Sequence, residues 1–276
     1  AEVAKTLVNL EQESRRTAID PAPSPRLRRF AQASGLLWLI SAALIAVAGW
    51  QYYRQSRVSV EEDMVAVKGA LTVPPFAIDR YEVTNRDYAA WLNGPSMKYT
   101  ETDKTQVFDL AGALLLDLRD RRGISFDGKG GRLRVASGMG ELPVVGVTWQ
   151  GAVAYCQQFG KRLPTDREWQ LAARGATANP YPWGADGPSC EGVVFGRFAD
   201  GPCATLTHAP EPVGSASRDV TPDGISDLGG NVSEWVADTW PVDSAQRLIR
   251  GGNWRSAADS LQVQAGHHEL AEHALD

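Results

Sequence analysis

The clearest periodicity in the chain lies at 142–175, LPVVGVTWQGAVAYCQQFGKRLPTDREWQLAARG. Val144, Val145 and Val147 form a β-branched run that predicts a short buried strand. Thr148 stands where an N-cap would stand, Ala152, Cys156 and Phe159 follow at helical spacing, and Gly160 falls at the C′ position, so one short helix is expected there. A second helix is better marked, because Thr165-Asp166-Arg167-Glu168 is a capping box in which hydroxyl and carboxylate satisfy backbone N–H groups reciprocally. Trp169, Ala172 and Ala173 form its inner stripe, and Gly175 ends it. The alanines let a neighbour approach closely, while burial of Trp169 contributes roughly 2–3 kcal/mol.

Upstream, Val65, Val67, Leu71 and Val73 suggest an edge strand. Residues 76–84 alternate as a strand does, and Thr84 caps a predicted helix from Asn85 to Leu92. Residues 94–140 contain an apolar stretch at 110–118 and then Asp127-Gly128-Lys129-Gly130-Gly131, a turn between two short candidate strands. These glycines could cradle an anion, but no Lys-Ser or Lys-Thr pair opens a helix after them, which favours a hairpin. Residues 176–222, rich in Gly, Pro and Ser, read as long irregular loops. Residues 265–275 read as a solvated helix.

At the N-terminal side the pattern changes character. Residues 1–34 are polar and Pro-interrupted, and the basic group Arg26, Arg28 and Arg29 precedes 35–53, about nineteen uncharged residues. At helical rise these span roughly 28 Å, and Trp38, Trp50, Tyr52 and Tyr53 lie where interfacial aromatics belong. The pattern predicts a cytoplasmic tail at 1–34, a transmembrane helix at 35–53, a linker at 54–70 and a periplasmic domain at 71–276. The basic cluster orients the N-terminus inward, although Arg54 and Arg57 dilute the bias. Gly35, Ser41, Ala42, Ala43 and Gly49 would permit close helix contact. A cleaved signal peptide fits less well, since more than thirty residues precede the apolar run.

With 276 residues, 43% hydrophobic and 22% charged, the chain accommodates one sizeable domain plus extras, and a net charge of −5 gives no support for a nucleic-acid partner. Three cysteines are too few for a disulfide scaffold. Cys156 lies on an apolar helix face. Cys190 and Cys203 enclose a Gly-rich loop and are expected to be bonded in an oxidising compartment. Metal ligation competes with that reading, but no Cys-x-x-Cys or nearby His completes a site.

Several stretches together resemble the formylglycine-generating enzyme (sulfatase-modifying factor) family. They are Asp79-Arg80-Tyr81-Glu82-Val83-Thr84-Asn85, the 143–175 segment, Tyr181-Pro182-Trp183-Gly184, Asp227-Leu228-Gly229-Gly230-Asn231-Val232-Ser233-Glu234-Trp235 and Arg250-Gly251-Gly252-Asn253-Trp254-Arg255, in family order. The resemblance implies an α+β, C-type-lectin-related fold with little regular secondary structure. It also implies a further Gly-Phe-Arg strand, or another element in its place, to complete the last sheet.

The family oxidase binds copper through two cysteines shortly after the Gly-Gly-x-Trp motif, and soft thiolates are what Cu(I) prefers. By spacing, Leu261 and Gly266 fall there instead, so copper-dependent conversion of cysteine to formylglycine is not expected and no catalytic residue is assigned. A non-haem iron branch of the superfamily uses histidines. Here they are His208, His267, His268 and His273. In the family the Asn and Glu matching Asn231 and Glu234 help bind calcium, and on a Gly-rich turn both offer hard oxygens. Their competing role is that of hydrogen-bonding turn residues. The resulting expectation is a membrane-anchored, non-catalytic domain acting as a binding or scaffolding subunit among inner-membrane or periplasmic proteins, with structural calcium at most. The alternatives are an iron oxidoreductase acting on a peptide or small thiol and, by fold analogy with lectins alone, a sugar-binding domain.

Overall fold

The computed structural model describes residues 63–275, except 71, 120–122, 129, 130, 176 and 178, together with 41, 43, 45 and 47. The chain divides into two compact units, Ala1–Val58 and Ser59–Asp276. In the first unit Ser41, Ala43, Ile45 and Val47 are helical and exposed. The rest of the 35–53 stretch and all of the 1–34 tail lie outside the described residues. Among the described residues no helix is long and apolar enough to cross a membrane.

The second unit mixes short helices with short strands. Strands β1 (Met64–Val67) and β2 (Phe76–Asp79) pair antiparallel, with Val65 opposite Ile78. Thr84 then caps α1 (Asn85–Leu92), its hydroxyl accepting from the Asp87 N–H. The helix buries Tyr88, Ala89, Trp91 and Leu92 on one side, an arrangement set by i, i+3, i+4 spacing.

Residues 94–140, the stretch between the resemblance motifs at 79–85 and 143–175 and called the insertion below, build two sheets. Strands β3 (Tyr99–Thr102), β4 (Gln106–Asp109) and β5 (Leu114–Asp117) lie in that order. Strands β6 (Ile124–Phe126) and β7 (Leu133–Val135) flank the glycine-bearing turn as the hairpin reading requires. Leu115, Leu116 and Val107 pack with Tyr88 and Trp91 into one core cluster.

Residues 144–147 do not form the expected strand. Val147 makes isolated bridges to Leu116 and Leu275, and Thr84 bridges Pro143. The cause is Gly146, which turns to φ +80° so that β5 can approach: a Cβ there would stand 2.2 Å from the Asp117 carbonyl oxygen. Only glycine accepts that combination, and the extended run is interrupted.

Thr148 caps α2 (Trp149–Gln158), accepting from the Gly151 N–H, and Gly160 follows in a left-handed conformation. The capping box on α3 (Asp166–Arg174) is formed in both directions. Trp169, Ala172 and Ala173 are fully buried against Leu228, Val236, Leu248 and Val263.

The last sheet has the order β10-β9-β8, built from β8 (Glu234–Thr239), β9 (Gln246–Arg250) and β10 (Gly266–Leu270). Here the solvated-helix reading of 265–275 is overturned. Five residues of β10 pair with β9, His267 opposite Ile249 and His268 opposite Leu248. Local propensity gives way because β9 offers an edge whose N–H and C=O groups need partners. The chain then continues alongside the start of α2: the Trp149 N–H donates to the Ala271 carbonyl and the Leu275 N–H to that of Val147. This segment thus supplies the third strand of the sheet.

Candidate functional site

The Gly-rich turn at 227–235 gathers the most buried polar chemistry among the described residues. Asp227 and Asn231 both adopt positive φ, at +66°, which Asn and Asp tolerate better than branched residues. Gly229 and Gly230 between them leave room for the Trp183 ring and the Val194 backbone. Four carboxylates gather here: Asp227 and Glu234 from the turn itself, and Glu82 and Asp219 from elsewhere in the chain.

Backbone and side-chain N–H groups meet each of them. The Val232 N–H donates to Glu82 Oε1 at 3.0 Å and Asn231 Nδ2 to Glu82 Oε2 at 2.6 Å. Asp219 accepts from the Gly229 and Gly230 N–H groups at 3.1 and 2.8 Å. Asp227 Oδ2 accepts from Gly214, and Trp169 Nε1 donates to Glu234 Oε2, both at 2.5 Å. Asp227 Oδ1 is buried with no hydrogen-bond partner.

Burial disfavours the charged forms, and mutual repulsion adds to it. Asp219 is pushed up to about 7 by burial and by Asp227. Asp227 rises to about 6 through burial and the charge of Glu211. Glu234 reaches about 7 through burial, against the pull of the Trp169 N–H. Glu82 is raised well above the carboxylate range by burial first and then by Asp227 and Glu234. The α3 capping glutamate behaves oppositely. Arg162, through a pair of 2.7 Å hydrogen bonds, holds Glu168 down at about 2.

Asn231 and Glu234, the expected calcium pair, are each engaged with the protein. Asn231 Oδ1 accepts from the Glu211 N–H at 2.9 Å while its Nδ2 faces Glu82. Among the described residues no group of three or more His, Cys, Asp and Glu is placed to hold a metal ion. The oxygens on this turn suit a hard cation by type; Asn231 Oδ1 and Glu234 Oε2 are met by N–H donors, whereas Asp227 Oδ1 is not.

The place the resemblance gives to the copper thiolates is filled differently. Leu261, at the end of a short 3₁₀ turn (Ala258–Leu261), is 1% exposed and packs with Val193, Phe195 and Cys203, with Tyr181, Trp183 and Cys190 around them. Gly266 opens β10 beside the Arg250 guanidinium. Cys190 and Cys203 form a disulfide with Cα atoms 5.5 Å apart. Burial raises the remaining thiol, Cys156, to about 11. No pair of thiolates is available, so the residues present do not fit copper.

Among the described residues no histidine belongs to a group of three or more His, Cys, Asp and Glu placed to hold a metal ion. His267 and His268 alternate across β10, and the His268 ring lies 4.3 Å from that of Trp240. His273 Nδ1 is 2.8 Å from Glu269 Oε1, and His208 Nε2 meets the Ala204 carbonyl. Sequence reasoning passed over Glu82, Asp219 and Asp227. Glu82 and Asn231 meet across 149 positions, and no local spacing signals such a pair.

Comparison with known proteins agrees with this architecture. Residues 41–274 match the family described as the sulfatase-modifying factor enzyme 1-like domain. The inactive C-alpha-formylglycine-generating enzyme 2 of Mus musculus is 30% identical over 257 residues, 81% of this chain and 82% of that protein. The serine/threonine-protein kinase pkn1 of Chlamydia pneumoniae is 29% identical over 83% of this chain, which spans only 35% of the kinase. Two solved structures share the fold: PvdO from Pseudomonas aeruginosa and CarF, each with TM-score 0.50 over 77% of this chain, at 19% and 20% identity. They cover 86% and 94% of those chains. The chain therefore belongs to the sulfatase-modifying factor enzyme 1-like family.

Proposed function

We propose that this chain is a non-catalytic member of its family, a binding or scaffolding subunit anchored in a bacterial inner membrane with its domain on the periplasmic side. The observation that carries the non-catalytic part is Leu261. A fully buried leucine packed against a disulfide stands where a copper thiolate would be needed, and an apolar cluster can neither bind a soft metal nor activate oxygen. That a relative similar over most of the chain is itself called inactive supports the same reading.

The anchor rests on the uncharged 35–53 stretch and its aromatic flanks. The scaffolding role rests on the inserted segment, which presents β3 and the exposed Leu110 to solvent. Similarity to one third of a bacterial kinase supports the view that such domains work as modules of larger assemblies.

Incubation of the purified full chain with copper and a cysteine-containing sulfatase peptide tests the reading. The expected result is unchanged peptide by mass spectrometry and no stoichiometric copper or iron by elemental analysis. Formylglycine formation would overturn it, and stoichiometric iron with thiol or peptide oxidation would establish the oxidoreductase instead.

A further inference from the structure

We infer that Asn231 is a protein-built tie that assembles this domain without an ion, its amide serving as donor and acceptor at once. Asn231 is 1% exposed. Its Oδ1 accepts from the Glu211 N–H at 2.9 Å, and its Nδ2 donates to Glu82 Oε2 at 2.6 Å and to the Glu211 carbonyl at 3.2 Å. Its backbone N–H donates to the Val194 carbonyl, and its own carbonyl accepts from the Trp254 N–H, both at 2.9 Å. One side chain and its peptide groups therefore join the segments at 82, 194, 211 and 254 to the turn.

A cation ligand uses only the amide oxygen and leaves the NH₂ end without a required partner. Here the NH₂ end carries the closest contact, to a carboxylate, and the oxygen already meets an N–H. Glu82 completes the arrangement by taking the Val232 N–H with its other oxygen. Glu234, the second expected ligand, is committed to the indole N–H of Trp169. At Asn231, Glu82 and Glu234 the roles calcium would play, gathering loops and meeting oxygens, fall to these N–H donors; Asp227 Oδ1 on the same turn has none.

The amide and a carboxylate of the same shape separate the two roles. Asn231→Asp keeps the oxygen that an ion would use but replaces the donor facing Glu82 with a second acceptor. We expect the full chain to melt at the same temperature, within about 1 °C, in EDTA and in millimolar calcium. Asn231→Asp is expected to melt about 5–10 °C lower, unrestored by calcium. Terbium supplies a second readout on the unmodified chain, because Trp169 lies against Glu234 and would sensitise an ion bound there. No saturable luminescence is expected. Saturable calcium stabilisation of the unmodified chain, one terbium per chain, rescue of Asn231→Asp by calcium, or an Asn231→Asp melting point equal to that of the unmodified chain would each overturn the inference. Should Asn231→Asp fail to fold, the calcium and terbium titrations of the unmodified chain decide alone.

Discussion

Within the body of the domain, buried polar groups find partners far along the chain, Glu82 with Asn231, Trp169 with Glu234 and Asp166 with Arg250. At the outer sheet of the segment 94–140 the side-chain bonds include local ones: Gln106 Nε2 donates to Asp117, and Asp109 accepts from the Ala113 N–H. The insertion is held to the body along β5, where Thr148 and Tyr88 donate to the carbonyls of Leu114 and Leu115, and along β7, where Asn93 donates to the Leu133 carbonyl and accepts from the Leu133 N–H. Three of the four residues of β3, at the other edge, are exposed. Long-range polar pairing makes the body intolerant of change, because each lost partner leaves a buried group unmet. The insertion, with the exposed β3 at its free edge, can vary that edge at little cost to folding, which is what a partner-specific surface needs.

The contrast can be broken most severely at Trp169. Trp169→Ala removes a fully buried ring and the N–H on Glu234, and about 3–5 kcal/mol of stability should be lost in urea denaturation. Replacing Cys190 and Cys203 together by serine opens a loop with a sequence separation of 13 and should cost up to ~3 kcal/mol by the same measurement.

A smaller effect follows from the carboxylates at the turn. Folding raises Asp219 to about 7, Asp227 to about 6 and Glu234 to about 7, so the folded state holds these protons more tightly than the unfolded chain. Their contribution is fully present below the ordinary carboxylate range and is lost as pH rises through about 6 to 7. Melting temperature should therefore decline across that window, and Asp219→Asn, which keeps an acceptor for Gly229 and Gly230, should flatten the decline. The smallest effect is expected in the insertion. Leu110 is 70% exposed, and Leu110→Ser should change stability by no more than about 0.5 kcal/mol while weakening recovery of partners.

What the sequence made legible follows the same division. The caps at Thr84, Thr148 and Thr165 were readable because a cap is a contact within three residues, and each forms as expected. The hairpin around Gly128–Gly131 was readable for the same local reason. Residues 144–147 misled because the conformation of Gly146 answers to the Asp117 carbonyl, some thirty positions away. The β10 segment looked helical because nothing within it records the edge of β9. At the turn, Asn231 and Glu234 were visible as polar residues in a motif. Their partners Glu82 and Trp169 were visible too, but only the fold shows that they meet.

The most direct test of the central claim is purification of the tagged full-length protein from its native membrane in mild detergent, followed by mass spectrometry, beside a variant that alters only the exposed edge, Leu110→Ser with Thr100→Arg and Thr102→Arg on β3. The account predicts a stoichiometric set of membrane or periplasmic proteins with the natural chain, and loss of that set with a domain that still melts cooperatively. A lone, monodisperse natural chain, or an unchanged set with the altered edge, would contradict it.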